Sequence, residues 1–342
     1  MRRLPLLLLA LACGDTDPGP STEGSTPPLT ELPPASWSYV PVEGMACGNG
    51  QPTGIGVNPG TSDEVLFLVA GGGACWDAVS CFVLDAAVHI TTGWGEAQLH
   101  QEVGVLEGHP LLDRSAADSP MGEATWIYVP YCTGDLHAGS RVGDYAPAGT
   151  VHHVGDDNVR ALLAWAAEEI PVLDRLWLVG ISAGGFGIQL QADRFAAAWP
   201  EAELALLADG APMVGPYYDR WWAFQSAWDL RLPEGCPECV RFPEILAHQV
   251  ATLPDARFGL ATYRDDGVVT VYLNFPIGGL GPATDTLLEG PYAEPGVEAF
   301  VLPGDAHVML PGLDTLTAPD GTSFRAWVDA WATGSSAFVT VP

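Results

Sequence analysis

Residues 180–185 read Gly-Ile-Ser-Ala-Gly-Gly, a serine with glycine two places before it and two places after. A serine hydroxyl is a poor nucleophile alone; it needs a turn that exposes it and a base that takes its proton. Glycines at 180 and 184 permit such a turn, because the backbone there is too crowded for side chains. The apolar run from Arg175 to Gly180 reads as a strand, and from Phe186 to Ala197 apolar residues recur at helical spacing. In a chain with 40 glycines the bare pattern arises by accident, as a serine in an ordinary turn. The strand before it and the helix after it mark this one as a nucleophile elbow with Ser182 at its tip.

An elbow of this kind sets an order for the other groups: serine, then acid, then histidine, on loops that follow strands of an α/β-hydrolase sheet. Of the eight histidines only His248 and His307 come after Ser182. His248 precedes every run that could carry the acid, whereas His307 follows the apolar run 297–302 in Pro303-Gly304-Asp305-Ala306-His307 and is the candidate general base. The acid is expected after the run 257–262, where Asp265 and Asp266 stand side by side. Asp266 is preferred because its neighbour reads as a solvated loop charge, but periodicity does not decide a one-residue choice. Asp305 is too near His307 in sequence for the usual geometry. The run 64–70 ends in Gly71-Gly72-Gly73-Ala74-Cys75-Trp76, where this fold supplies half of its oxyanion hole. The N–H groups of Gly72, Gly73 and Ala183 would bind a tetrahedral oxyanion, each such donor being worth about 3 kcal/mol in the transition state.

These loops need a scaffold, and the chain after Trp37 provides one by alternating short apolar runs with helical stretches. Strands are predicted over 64–70, 125–129, 175–180, 203–208, 257–262 and 297–302, and a covering helix over 156–169. The pattern predicts an α/β-hydrolase fold with a mostly parallel central sheet and helices on both faces. Ligands of such sheets bind outside the carboxyl ends of the strands, where the candidate residues stand. Residues 212–254, with Trp221, Trp222, Trp228, Cys236 and Cys239, fit no strand and read as a lid insertion, or equally as a helical excursion that buries its tryptophans.

Forty-two acidic residues against 13 basic ones, all arginine, give a formal charge of -29. Such a surface repels nucleic acid and anionic lipid, so neither is expected as a partner. Met1-Arg2-Arg3, a short apolar run to Ala12 and then Cys13 read as an export signal with a lipidation cysteine, or as a plain secretion signal. Residues 14–36, rich in Pro, Gly, Ser, Thr and Asp, read as a tether, and 37–342 as the catalytic domain. Contact with a membrane is expected only through the lipid, at an outer membrane or cell surface; the alternative is secretion, and the protein is expected to be a monomer. The other six cysteines form an even set in an exported chain and are expected in disulfides, with the pairing open. Cys236-Pro-Glu-Cys239 alone offers a redox pair or half a zinc site, but no second close pair completes a cage, so no metal or organic cofactor is expected.

Four segments in order give the chain a resemblance to the pectin acetylesterases and the related Notum carboxylesterases. They are residues 71–76, the stretch Pro130-Tyr131-Cys132-Thr133-Gly134-Asp135-Leu136-His137-Ala138-Gly139, residues 180–185, and Gly304-Asp305-Ala306-His307. The resemblance spans roughly residues 40 to 335. It implies a serine hydrolase of carboxylic esters, with an acetylated polysaccharide as the default substrate and Trp76, Tyr131 and His137 as site lining. A loop pinned by its cysteine accounts for the second segment equally well. The chain departs from the family at Gly73 and Ala74, where a tryptophan is frequent. The combined reading is a carboxylesterase with the triad Ser182, His307 and Asp266. Its rivals are an inactive binding protein on the same scaffold, and a serine peptidase or acyltransferase.

Overall fold

A computed structural model describes residues 27–116, 119–215 and 218–342. The leader, with Cys13, and most of the tether lie outside the described residues. Residues 27–36, read from sequence as tether, belong to the body. Leu29–Glu31 forms a single 3-10 turn, Leu29 and Leu32 pack on the core, and the Leu29 N–H donates to Glu169 at 2.7 Å.

The strands are β1 (Ser38–Ala46), β2 (Pro52–Asn58), β3 (Glu64–Val69), β4 (Thr125–Val129), β5 (Arg141–Asp144), β6 (Thr150–His153), β7 (Arg175–Ile181), β8 (Glu203–Asp209), β9 (Arg257–Tyr263) and β10 (Val297–Leu302). Eight of them form one sheet in the order β1-β2-β4-β3-β7-β8-β9-β10, and β5 with β6 makes a separate hairpin. From β4 to β10 all pairings are parallel; β1 and β2 are antiparallel additions at one edge. The six runs predicted from sequence are the parallel part. Their continuous apolar character follows from burial on both faces. Val65, Phe67 and Val69 of β3 join Leu176 and Leu178 of β7 in one core, while Leu66 and Leu68 join Trp177 and Val179 in the other. Each fully buried side chain of this size contributes about 1.5–3 kcal/mol.

The helix Gly155–Glu169 covers the first face with Val159, Leu162, Leu163 and Ala166, and Phe324–Thr333 covers the second with Trp327, Val328 and Trp331. Ser323 caps the latter helix through the Ala326 N–H, and Gly334, in the left-handed region, ends it. Residues 212–254 carry two helices, Tyr218–Trp228 and Phe242–Thr252, and the connection between them contains the Cys236–Cys239 disulfide. Trp221 and Trp228 are buried, as in the helical-excursion reading, and Trp222 is exposed. The Trp228 indole donates to the Cys75 carbonyl at 2.7 Å, so this insertion is anchored to the Gly-rich loop as a packed wall.

Cys47 pairs with Cys132, and Cys75 with Cys81. The first bond closes 85 residues and pins the loop after β4, a closure worth about 4–5 kcal/mol on the chain-entropy model. Among the described residues no helix is long and apolar enough to cross a membrane.

Candidate active site

β7 runs into Ser182, whose φ of 54 and ψ of −118 depart from every comfortable region for a side chain, and the helix Ala183–Leu190 starts at the next residue. Holding a non-glycine residue there costs about 1–3 kcal/mol, so the surroundings must enforce it. The Ser182 N–H donates to the Asp209 carbonyl at 2.7 Å, and the Ser182 carbonyl accepts from Gly185 and Phe186. A Cβ on Gly184 would lie 2.0 Å from the Val69 carbonyl oxygen, which is why no larger residue fits where the elbow crosses β3.

His307 lies in the loop after β10. Its Nε2 is 2.9 Å from Ser182 Oγ and its Nδ1 is 2.7 Å from Asp266 Oδ2. With a carboxylate at Nδ1, that nitrogen carries the proton and donates, and Nε2 is left to accept from the serine hydroxyl. Asp266 is fully buried and caps the short helix Gly267–Tyr272: its Oδ1 accepts from the Val268 and Val269 N–H groups at 2.9 and 3.0 Å. One oxygen thus fixes the carboxylate while the other meets the imidazole. Asp265 turns the opposite way, 41% exposed and 3.4 Å from Arg264. His248 lies on the helix Phe242–Thr252, 3.9 Å from Glu238 and outside this group.

Gly73 forms an isolated antiparallel bridge with Ala87, made by the Val88 N–H to the Gly72 carbonyl and the Ala74 N–H to the Ala86 carbonyl. The Gly73 N–H takes no part in that bridge. Its φ of 84 and the 2.0 Å a Cβ would have to the Ala86 oxygen require glycine. Ala183 opens its helix with a first-turn N–H that has no intrahelical partner.

Two cavities meet at Ser182 and His307. One, of about 30 Å³, is walled by Leu136, Phe186, Phe224, Val269 and Leu273. The other, of about 470 Å³, is lined chiefly by Leu68, Val105, Leu106, Tyr128, Ile181 and Val308 with the glycines 71–73. Tyr272 borders both. Tyr131 and His137, expected as lining, border neither. They are buried one layer behind, where the Tyr131 hydroxyl accepts from the Leu136 N–H at 3.0 Å and His137 Nε2 donates to the Ala70 carbonyl at 2.8 Å. They brace the Gly-rich loop and the cavity residue Leu136. Trp76 also stands back, packing on Phe224 and Tyr272 with the Arg220 guanidinium 3.8 Å over its ring.

Sequence reasoning missed Phe186, Phe224 and Tyr272, which carry no motif, and Asp209. The last has a legible signal, an acid at the carboxyl end of a predicted strand. Among the described residues the close groups of metal-type donors, Cys75, Cys81 with His153 and Cys236, Cys239 with His248, both contain disulfide sulfurs, which offer no thiolate.

Sheet order, elbow and loop placement define an α/β hydrolase. The chain belongs to the pectinacetylesterase family, whose model matches residues 38–214, and its activity falls in carboxylic ester hydrolysis. That match includes the Gly-rich loop and the elbow but ends before β9 and β10. The fold is similar to the solved structure of the Wnt deacylase Notum from Drosophila, with a TM-score of 0.65 at 17% identity over 90% of this chain and 95% of that one. No curated protein matches the chain.

Proposed function

We propose that the protein is a serine esterase for short acyl groups, acetyl foremost, working through Ser182, His307 and Asp266 with no cofactor. The observation that carries the reading is the unbroken hydrogen-bond chain from Ser182 Oγ through both imidazole nitrogens to Asp266. Ser182 Oγ attacks the ester carbonyl and its proton passes to His307 Nε2; the N–H groups of Gly72, Gly73 and Ala183 receive the oxyanion. Collapse expels the alcohol with the proton from Nε2, and water, deprotonated in turn by His307, releases the acid from the acyl-serine. A binding protein without activity has no use for a complete relay of this kind.

Acyl size follows from the smaller cavity. At about 30 Å³ against about 470 Å³ for its neighbour, it suits the methyl of an acetyl group better than a long acyl chain. The alcohol half then lies toward the wider cavity. An acetylated polysaccharide is the substrate class the family suggests, and with a charge of -29 a neutral polymer is favoured over a polyanion. With p-nitrophenyl acetate, butyrate and octanoate, kcat/KM is expected to fall at least tenfold from first to last. A rise with chain length would overturn the short-acyl reading, and faster cleavage of peptides than of any ester would replace esterase by peptidase.

Three disulfides and the family fit an extracellular enzyme. We propose further that Cys13 is lipidated and holds it at a membrane surface. Because the acidic body is repelled by anionic headgroups, the acyl chains must supply the binding. Cys13→Ser is expected to move the protein from the membrane fraction to the soluble one with unchanged specific activity. A soluble wild-type protein without an N-terminal lipid would end this proposal.

A further inference from the structure

Asp209, the last residue of β8, is fully buried and borders neither cavity, yet all three of its oxygens hold parts of the site. Its carbonyl accepts from the Ser182 N–H at 2.7 Å. Its carboxylate accepts from Met309 N–H at 2.7 Å through Oδ1 and from Leu310 N–H at 2.9 Å through Oδ2, immediately beyond His307. The next residue, Gly210, has a φ of 65 and backs onto the imidazole: a Cβ there would sit 3.1 Å from His307 Cε1 and 3.2 Å from Nδ1. One short segment therefore touches the nucleophile's backbone, the base's ring and the base's loop.

We infer that Asp209 is a positioning residue for the general base, its carboxylate fixing residues 307–310 against the elbow so that His307 Nε2 stays within reach of Ser182 Oγ. The inference rests on the triad reading above. Serine and histidine sit on loops after different strands, and neither hydrogen bond of the triad prevents the histidine loop from sliding along the sheet edge. Two N–H groups held by one carboxylate at the end of a core strand do. A displacement of about 1 Å in such a group lowers turnover on the order of 100-fold.

The surroundings of this carboxyl work against its ionisation. Burial pushes the Asp209 carboxyl up to about 7, with the Leu310 and Met309 N–H groups and His307 pulling it back and Asp266 pushing it further. Tyr263, at the end of β9, is raised in turn, by burial first and by the Asp209 charge second. The folded state thus binds a proton more tightly than the unfolded chain. This group's contribution to stability is present in full below its ordinary value of 3.8 and is lost as pH rises through about 7. A neutral isostere escapes that loss.

Asp209→Asn leaves one acceptor and turns an amide N–H₂ toward the other N–H. Its kcat on p-nitrophenyl acetate is expected to fall about 100-fold with KM within about threefold, and fluorophosphonate labelling of Ser182 to slow by a similar factor. The difference in Tm between variant and wild type should move in the variant's favour from pH 5 to pH 8.5, His307 and Asp266 being common to both proteins. A kcat within threefold of wild type would overturn the inference. So would a kcat loss accompanied by a Tm drop of equal size at both pH values, which is the mark of a purely structural residue. Absence of labelling in the wild type would instead refute the triad on which the inference rests.

Discussion

Ser182→Ala is expected to lower kcat on an acetyl ester by on the order of 10⁶-fold, the loss that follows when an activated serine is removed from a triad. The size of the effect comes from the loss of covalent catalysis, since His307 has no proton to take once Oγ is gone and Asp266 then orients an idle base. Binding should survive, because the two cavities are built by other side chains. The fold should survive too. The elbow is held by the main-chain bonds of residue 182 to Asp209, Gly185 and Phe186, which alanine retains, and alanine meets the same backbone strain as serine. The measurement pairs steady-state turnover with circular dichroism and with fluorophosphonate labelling, which the wild type should show at Ser182 alone. A folded variant that turns over at the wild-type rate would place the nucleophile elsewhere and remove the mechanism.

What could be read before the structure divides along physical lines. The parallel strands announce themselves because each is buried on both faces, so Val65–Val69 or Leu204–Ala208 has no polar position. β1 and β2 do not: Pro41, Gly44, Pro52, Gly54 and Gly56 break the pattern, and β1 is an edge strand whose register shifts between Pro41 and Ala46. Ser182 and His307 were legible because elbow geometry demands glycines at fixed places and fold order restricts the histidine. Tyr131 and His137 were misplaced by one layer, since sequence shows that a loop is pinned and not which side faces the cavity. The smaller cavity had no local signature at all. Its walls come from Leu136, Phe186, Phe224 and Leu273 in four separate segments, so its small volume exists only after folding. The disulfide pairing was likewise hidden, because loop closure over 85 residues leaves no trace in spacing.

The choice between adjacent carboxylates shows how much turns on one residue, and it yields the second large effect. Asp266→Asn is expected to lower kcat about 10⁴-fold while Asp265→Asn leaves it nearly unchanged. Asp266 precedes Gly267-Val268-Val269, and an acid there can cap the helix, which the structure realises through Oδ1. Capping leaves Oδ2 aimed at His307 Nδ1 with no freedom to turn away. Asparagine can keep the cap with its carbonyl, but its amide N–H₂ would then meet the imidazole. The ring would have to place its proton on Nε2, where it can no longer accept from Ser182, so the fold is preserved and the base is lost. Asp265 is a partly exposed partner of Arg264, itself bound to Asp285, and such solvent-screened surface pairs contribute little. Turnover of p-nitrophenyl acetate by the two variants, with thermal melts to show that both are folded, separates them. The reverse ranking would move the acid to Asp265 and contradict the hydrogen-bond chain. Small, equal losses would mean that His307 is oriented by another group.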